Sequence, residues 1–158
     1  MIKKVKDDFE ILFVLDNLRD EDKEELFALY GDNWYFETLN SLKDKEFLVM
    51  YGYDNDKKEI PIAIGGFYEI KENKNIAAVW LISSFYLYIN KTLFFKDVVP
   101  LIKNAETKYK IMYNYIYTSN LQAKNWLVKL GFQFDNPRPD VLNVKKGFEF
   151  FYKVNERV

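Results

Sequence analysis

Residues 120–132, NLQAKNWLVKLGF, carry the clearest structural pattern in this chain, and the architecture can be inferred outward from them. Their apolar side chains recur at i, i+3, i+4 and i+7, the spacing of one buried helical face. These residues are Ala123, Trp126, Leu127 and Leu130. Ser119 or Asn120 is placed to cap the first turn, because a short polar side chain accepts a backbone N–H there. Gly131 follows the last turn, where glycine readily takes a positive φ, so the stretch predicts a short helix with both ends defined.

Strands are predicted on both sides of this helix and elsewhere, from runs of apolar, aromatic and β-branched residues. Lys110–Thr118 precedes the helix and Phe132–Phe134 follows it. The other predicted strands are Phe9–Leu15, Glu46–Tyr53, Ile60–Ile70, Asn75–Tyr86 and Gly147–Val154. The continuous apolar run from 75 to 86 predicts a strand covered on both faces. The alternation from 147 to 154 predicts one buried face, and Gly65-Gly66 predicts a bulge or a close backbone approach.

Three further helices are predicted from capping residues and helix-ending residues. The first begins at Asp20 and ends at Gly31, and the second begins at Asp32 or Asn33. The third runs from Asn90 or Thr92 to about residue 108, with a kink or a break before Pro100 because proline cannot donate the helical hydrogen bond. Asn136–Asn143 contains two prolines and predicts a loop.

Residues 120–132 also resemble the last conserved motif of the GNAT-fold (GCN5-related) N-acyltransferases. In that family an Asn is followed by Ala three residues on, a long apolar residue six on, Tyr seven on, and Gly-Phe eleven and twelve on. The matching residues here are Asn120, Ala123, Trp126, Gly131 and Phe132. Leu127 stands at the position of the family's Tyr.

The predicted order of elements, β-α-α-β-β-β-α-β-α-β-β, is that of the GNAT fold, so the expected class is α/β (α+β) with one mixed sheet. The segments LRDEDKEEL, IPIAIGGF, AAVWLISS and NLQAKNWLVKLGF further resemble GNAT-like proteins of phages, some of unknown function and some virion-associated. That resemblance implies a location in the host cytoplasm or the virion.

Composition bounds the function. The chain has 158 residues, 49% of them hydrophobic, which predicts a single domain over residues 1–158. It contains no Cys and no His, which excludes disulfides, thiol nucleophiles and histidine-based catalysis or metal binding. A net charge of −1 disfavours general nucleic-acid binding. We expect no membrane association and a cytoplasmic protein, since we identify neither a transmembrane run nor a signal peptide.

The GNAT resemblance implies that acetyl-CoA lies in a V-shaped opening between the strands Asn75–Tyr86 and Lys110–Thr118, and that an amine is the acceptor. Backbone groups of the first strand would pair with the pantetheine as an added strand would. The start of the following helix would bind the pyrophosphate, where N–H groups and the dipole favour an anion. The residues implied as cofactor contacts are Ile82, Ser84, Asn90, Lys91, Thr92 and Asn120.

Three departures from the family leave two functions open. The segment 86–93, YLYINKTL, lacks the family's glycine-rich loop, Leu127 replaces the motif Tyr, and the strand from 75 to 86 has no acidic residue. One hypothesis is an N-acetyltransferase in which Tyr117 and Glu69 are the candidate acid and base, with very slow transfer to simple amines. The other is an inactive GNAT-like module for binding or assembly, with a protein partner or a second copy of itself.

Several of these residues also have a purely structural interpretation. Asn120 is explained by helix capping alone, and Trp126 and Trp80 by burial in the core. Three tyrosines lie at alternate positions on one strand face, and their hydroxyls are expected to make structural hydrogen bonds: Tyr113, Tyr115 and Tyr117. The acidic cluster Asp20–Glu25 predicts a solvated helix start whose charges favour the dipole.

Overall fold

The structure is a computed structural model, and it describes residues 2–5, 8–43, 45–135 and 147–158. The helices are α1 (Asp8–Asp16), α2 (Asp20–Tyr30), α3 (Trp34–Leu42), α4 (Lys91–Lys108) and α5 (Leu121–Lys129). The strands are β1 (Ile2–Val5), β2 (Phe47–Tyr53), β3 (Glu59–Ile70), β4 (Asn73–Ser83), β5 (Ile111–Tyr117), β6 (Gln133–Asp135) and β7 (Phe148–Val154). Short 3₁₀ turns cover Gly31–Asn33 and Phe85–Ile89.

The strands form one mixed sheet in the order β1-β2-β3-β4-β5-β7-β6. The pairing of β4 with β5 is parallel, while β1–β2, β2–β3, β5–β7 and β6–β7 are antiparallel. A parallel pair needs a crossover connection, and α4 provides it. The predicted fold class and order of elements are confirmed, with one more helix near the N-terminus than the sequence predicted.

The chain divides into two compact units. The first unit comprises Met1–Gly66 and Trp80–Pro100, and the second comprises Phe67–Val79 and Leu101–Val158. The core of the first unit is built from α1, α2, α3, β2 and β3, with these buried side chains: Ile11, Val14, Leu15, Leu26, Leu42, Phe47, Val49 and Ile64. Trp80 packs against this core, as predicted. The extent of the single predicted domain stays a prediction.

The prediction of a first strand at Phe9–Leu15 is wrong, because this segment lies in α1 and the first strand is β1. A short apolar run does not distinguish a buried strand from a helix by its periodicity. The burial does distinguish them, since Ile11, Val14 and Leu15 are buried while Phe9 is 61% exposed. This i, i+3, i+4 pattern is that of a helix lying on a core.

Two predictions about strand faces are also wrong. β4 ends at Ser83, before the predicted Tyr86, and among its residues only Ala77 and Ser83 are buried, so it is not covered on both faces. In β7 the buried residues are Phe148 and Phe151, which lie on opposite faces. The Phe148 ring contacts that of Tyr117 on one face, and the Phe151 ring contacts those of Phe132 and Phe134 on the other, so both faces carry packed side chains.

One of the two glycines in β3 lies close to the backbone of a neighbouring strand, which was one of the two predicted alternatives. A Cβ at Gly65 would lie 2.5 Å from the carbonyl oxygen of Trp80. The bulge lies elsewhere, at the register shift between Met50 and Tyr51 of β2. α4 is continuous through Pro100, so the predicted break does not occur. The predicted loop Asn136–Asn143 lies outside the described residues.

The helix predicted from residues 120–132 is confirmed as α5. The Asn120 side chain accepts a hydrogen bond from the Ala123 N–H at 3.3 Å, as an N-cap does. Trp126 is buried. Gly131 has a φ of 86°, and the Lys153 ammonium donates to the carbonyl oxygen of Leu130 at 2.8 Å, so a basic side chain caps the C-terminal end.

Candidate functional site

Five residues of the first unit lie along the end of β4, the 3₁₀ turn Phe85–Ile89 and the start of α4: Ile82, Ser84, Asn90, Lys91 and Thr92. The sequence predicted them as cofactor contacts, and those contacts stay predictions. Some of these residues are buried and hydrogen-bonded within the protein, and others are exposed.

The polar groups at the end of β4 form hydrogen bonds to backbone carbonyl oxygens of the protein. The Ser84 N–H donates to the carbonyl oxygen of Ile62 at 2.9 Å, and the Ser84 hydroxyl donates to the same oxygen at 3.1 Å. The Phe85 N–H donates to the carbonyl oxygen of Asn17 at 2.9 Å. Ser84 is fully buried, and Ile82 packs against the core. Ser84 therefore holds the end of β4 to β3, and its N–H is bonded within the protein.

Asn90 connects the start of α4 to the end of β2. Its amide nitrogen donates to the carbonyl oxygens of Tyr53 at 2.8 Å and Tyr86 at 2.9 Å, and its amide oxygen accepts from the Tyr53 N–H at 3.0 Å. A Cβ at Gly52 would lie 2.6 Å from that oxygen, so the approach requires glycine there. Asn90 is buried and its side chain positions the helix start.

The first turn of α4 has the groups that an anion needs. The Phe94 N–H donates to the carbonyl oxygen of Asn90, which makes it the first helical hydrogen bond. The N–H groups of Lys91, Thr92 and Leu93 precede that bond, at the positions where a helix has no intrahelical acceptor. Lys91 and Thr92 are exposed. The backbone N–H donors, the dipole of α4 and the positive charge of Lys91 are suited to binding a pyrophosphate.

A buried ion pair anchors α2 beside this segment, and the sequence did not predict it. The Arg19 guanidinium donates to both oxygens of Asp22, at 2.9 and 3.0 Å. Asp22 also accepts from the Ser83 N–H at 3.1 Å and the Ser83 hydroxyl at 2.7 Å. Burial opposes the charged guanidinium, but the charge and hydrogen bonds of Asp22 raise the pKa of Arg19 above its ordinary value. The prediction of a solvated cluster at Asp20–Glu25 is wrong for Asp22, which is buried.

A second polar contact joins α2 to the 3₁₀ turn Phe85–Ile89. The Tyr88 hydroxyl donates to the Glu21 carboxylate at 2.8 and 2.9 Å, and burial together with this bond raises the pKa of Tyr88 to about 12. The Lys91 ammonium lies 5.7 Å from the centroid of the Tyr88 ring. Tyr88 therefore stays protonated in any ordinary buffer and holds Glu21 beside the start of α4.

The remaining candidate residues lie in the second unit. Glu69 contacts the ammonium of Lys108 and accepts from the Tyr109 hydroxyl at 3.0 Å. The bonds from Lys108 and Tyr109 lower the pKa of Glu69, which makes it a weaker base than an ordinary carboxylate. Tyr117 packs its ring 5.3 Å from that of Phe148.

β4 and β5 pair along a short ladder in the second unit. It consists of Ile76–Ala78 against Ile111–Tyr113. After it, the Asn114 side chain donates to the carbonyl oxygen of Val79 at 2.8 Å, a contact that the sequence did not predict. The sequence feature that could have indicated this contact is Asn114 itself, a short polar residue within a strand of aromatic residues. The predicted V-shaped opening stays a prediction.

The part of the chain that the structure describes holds no group of three or more His, Cys, Asp or Glu residues arranged for a metal ion. Its helices include none with the length and apolarity needed to cross a bilayer.

No protein-family model and no curated protein matches the chain. Solved structures match over its whole length. A domain from Methanocaldococcus jannaschii has a TM-score of 0.70 and 13% identity, over 98% of this chain and 97% of that chain. A GNAT-family acetyltransferase from Streptococcus pneumoniae has a TM-score of 0.59 and 15% identity, over 98% and 99%. A ribosomal-protein-alanine N-acetyltransferase from Brucella melitensis has a TM-score of 0.57 and 17% identity, over 98% and 99%. The chain therefore has the fold of the GNAT acetyltransferases.

Proposed function

We propose that this protein is an acyl-CoA-dependent N-acetyltransferase, with acetyl-CoA as donor and an amine as acceptor. The observation that carries the proposal is the first turn of α4, where backbone N–H groups and Lys91 fit the pyrophosphate of the donor. The early end of the β4–β5 ladder at Ala78–Tyr113 supports it, since a strand that leaves its partner can pair with an extended ligand. The structural neighbours named as acetyltransferases share the fold.

Acetyl-CoA supplies an acetyl group activated as a thioester. In the transfer an amide C–N bond forms and the C–S bond breaks, and the proton lost by the amine nitrogen ends on the CoA sulfur. Tyr117 is the proposed proton donor to that sulfur, because Leu127 cannot donate one. Glu69 is the proposed base through water, with its lowered pKa limiting the rate. General acid or base assistance is worth about 10²–10⁴ in rate, so we expect slow transfer to simple amines.

A thermal melt with acetyl-CoA tests donor binding. At about 100 times its Kd a ligand adds about 2.7 kcal/mol, and for a chain of this size Tm should rise by roughly 5–11 °C. Acetyl-pantetheine, which has no pyrophosphate, should give a smaller shift. Lys91→Ala should reduce the acetyl-CoA shift, whereas Lys96→Ala, exposed further along the same helix, should not. No shift at millimolar acetyl-CoA would refute the enzyme.

Release of CoA thiol in the presence of an amine tests the transfer. Leu127→Tyr restores the family's proton donor and should raise a slow rate by about 10²–10⁴ if it reaches the thiolate. Turnover of about 10 per second by the unmodified protein would contradict the assignment of a weak acid and base.

The second candidate is a GNAT-like binding or assembly module without catalysis, of the kind that the resemblance to phage proteins implies. The observation that favours it is Ser84, whose N–H and hydroxyl both bind Ile62. It predicts neither a Tm shift with acetyl-CoA nor CoA release, together with a stable complex with a second copy or a protein partner.

A further inference from the structure

One side chain continues the parallel ladder between β4 and β5 beyond its last pair, which is Ala78 with Tyr113. The next residues on the two strands are Val79 and Asn114. The Asn114 amide nitrogen donates to the carbonyl oxygen of Val79 at 2.8 Å, and its amide oxygen accepts from the Tyr115 N–H at 2.8 Å. A single carboxamide therefore bonds a backbone acceptor of β4 and a backbone donor of β5.

Asn114 is a polar residue in an otherwise apolar row of β5. Side chains two residues apart lie on the same face of a strand, so Asn114 shares a face with Met112 and Ile116. Met112 is 1% exposed and Ile116 is 5% exposed, so the asparagine lies between two buried apolar side chains. Packing on this face would favour a third apolar residue. The carboxamide is therefore explained by the two backbone groups that it bonds.

The chemistry of these two bonds indicates what else could form them. A carboxamide supplies one donor and one acceptor to the two strands, as the amide of an extended ligand would. The pantetheine arm of the proposed acyl donor carries such amides, and an extended amide chain can pair with a strand backbone as an added strand does. Since the Tyr115 N–H has a single hydrogen to donate, Asn114 and a ligand carbonyl compete for it.

We propose that Asn114 closes the space between β4 and β5 in the free protein, and that the amide arm of acetyl-CoA displaces it on binding. The inference rests on the proposed function for the identity of the ligand. It goes beyond that function because it makes Asn114 a residue that sets the affinity for the donor. A ligand that binds only the open form has an apparent affinity reduced by the fraction of protein in that form.

Isothermal titration calorimetry with acetyl-CoA tests the competition. Asn114→Ala should bind acetyl-CoA about two- to tenfold more tightly, the value of one net hydrogen bond that no longer has to be broken. The matched control is Asn155→Ala in the same unit, which should leave the Kd unchanged. Asn155 also bonds two backbone groups, donating to the Glu106 carbonyl oxygen at 2.7 Å and accepting from the Arg157 N–H at 3.1 Å. ADP, which has a pyrophosphate but no amide arm, should bind wild type and Asn114→Ala equally.

Nuclear magnetic resonance of the unmodified protein tests the displacement itself. The Asn114 side-chain amide protons donate to Val79 in the free protein, so they should shift and exchange faster with solvent when acetyl-CoA binds. ADP should leave them unchanged. The signal is assigned through the backbone of β5, so this measurement does not depend on the stability of a variant.

The outcomes separate this role of Asn114 from the proposed function. Equal or weaker acetyl-CoA binding by Asn114→Ala would overturn the proposal and leave the proposed function intact. Asn114 side-chain signals that stay unchanged while acetyl-CoA binds would do the same. Binding by neither protein at millimolar acetyl-CoA would refute both, whereas binding by Asn114→Ala alone would support both.

Discussion

Asp22→Ala should destabilise the protein strongly, although Asp22 lies in the first turn of α2. The wild-type carboxylate accepts four hydrogen bonds, two from Arg19 and two from Ser83, and Arg19 is only 1% exposed. Truncation leaves a buried guanidinium without this carboxylate, and breaking such a pair costs about 3–5 kcal/mol. The lost bonds from Ser83 belong to the same network, so their cost is not added separately. At about 2–4 °C per kcal/mol, Tm should fall by roughly 6–20 °C.

Urea unfolding followed by circular dichroism measures this loss, and Asp20→Ala is the matched control. Asp20 begins the same helix and is exposed, so its removal should cost only about 0.3–1 kcal/mol through the helix dipole. Hydrogen exchange gives a local measure, since the Ser83 amide should exchange faster in Asp22→Ala. If Asp22→Ala and Asp20→Ala lose the same small amount, the argument that this network anchors α2 to β4 is refuted.

Two other predictions concern a titration and a helix end. Tyr88 should ionise near pH 12, above its ordinary pKa of 10.0, so its stabilising contribution is complete below pH 10 and is lost as the pH rises through 12. Difference absorbance between wild type and Tyr88→Phe measures this ionisation, and Glu21→Gln should move it toward pH 10. Gly131→Ala should lower stability by about 1–3 kcal/mol because its φ is 86°. Thermal melts should show no comparable loss in Gly66→Ala, where a Cβ would make an ordinary contact with Trp80.

The residues that could be interpreted from the sequence are those whose role is local. Asn120 and Gly131 define the ends of α5 because capping depends on a few neighbouring residues. The alternation of polar turns with apolar runs located β2, β3 and β5 to within about a residue or two of each end. The order of these elements, together with the motif at residues 120–132, was the basis on which the fold was predicted.

In other elements the tertiary structure alone decided which side chains are buried. FEILFVL became a helix because Ile11, Val14 and Leu15 meet the core from one side, which the apolar run itself does not specify. Asp22 is buried because Arg19 and Ser83 reach it, and Ser83 is 61 residues away in sequence. The groups of Ser84 are taken by Ile62 for the same reason, since the partner of a buried polar group is set by chain packing and not by its neighbours in sequence.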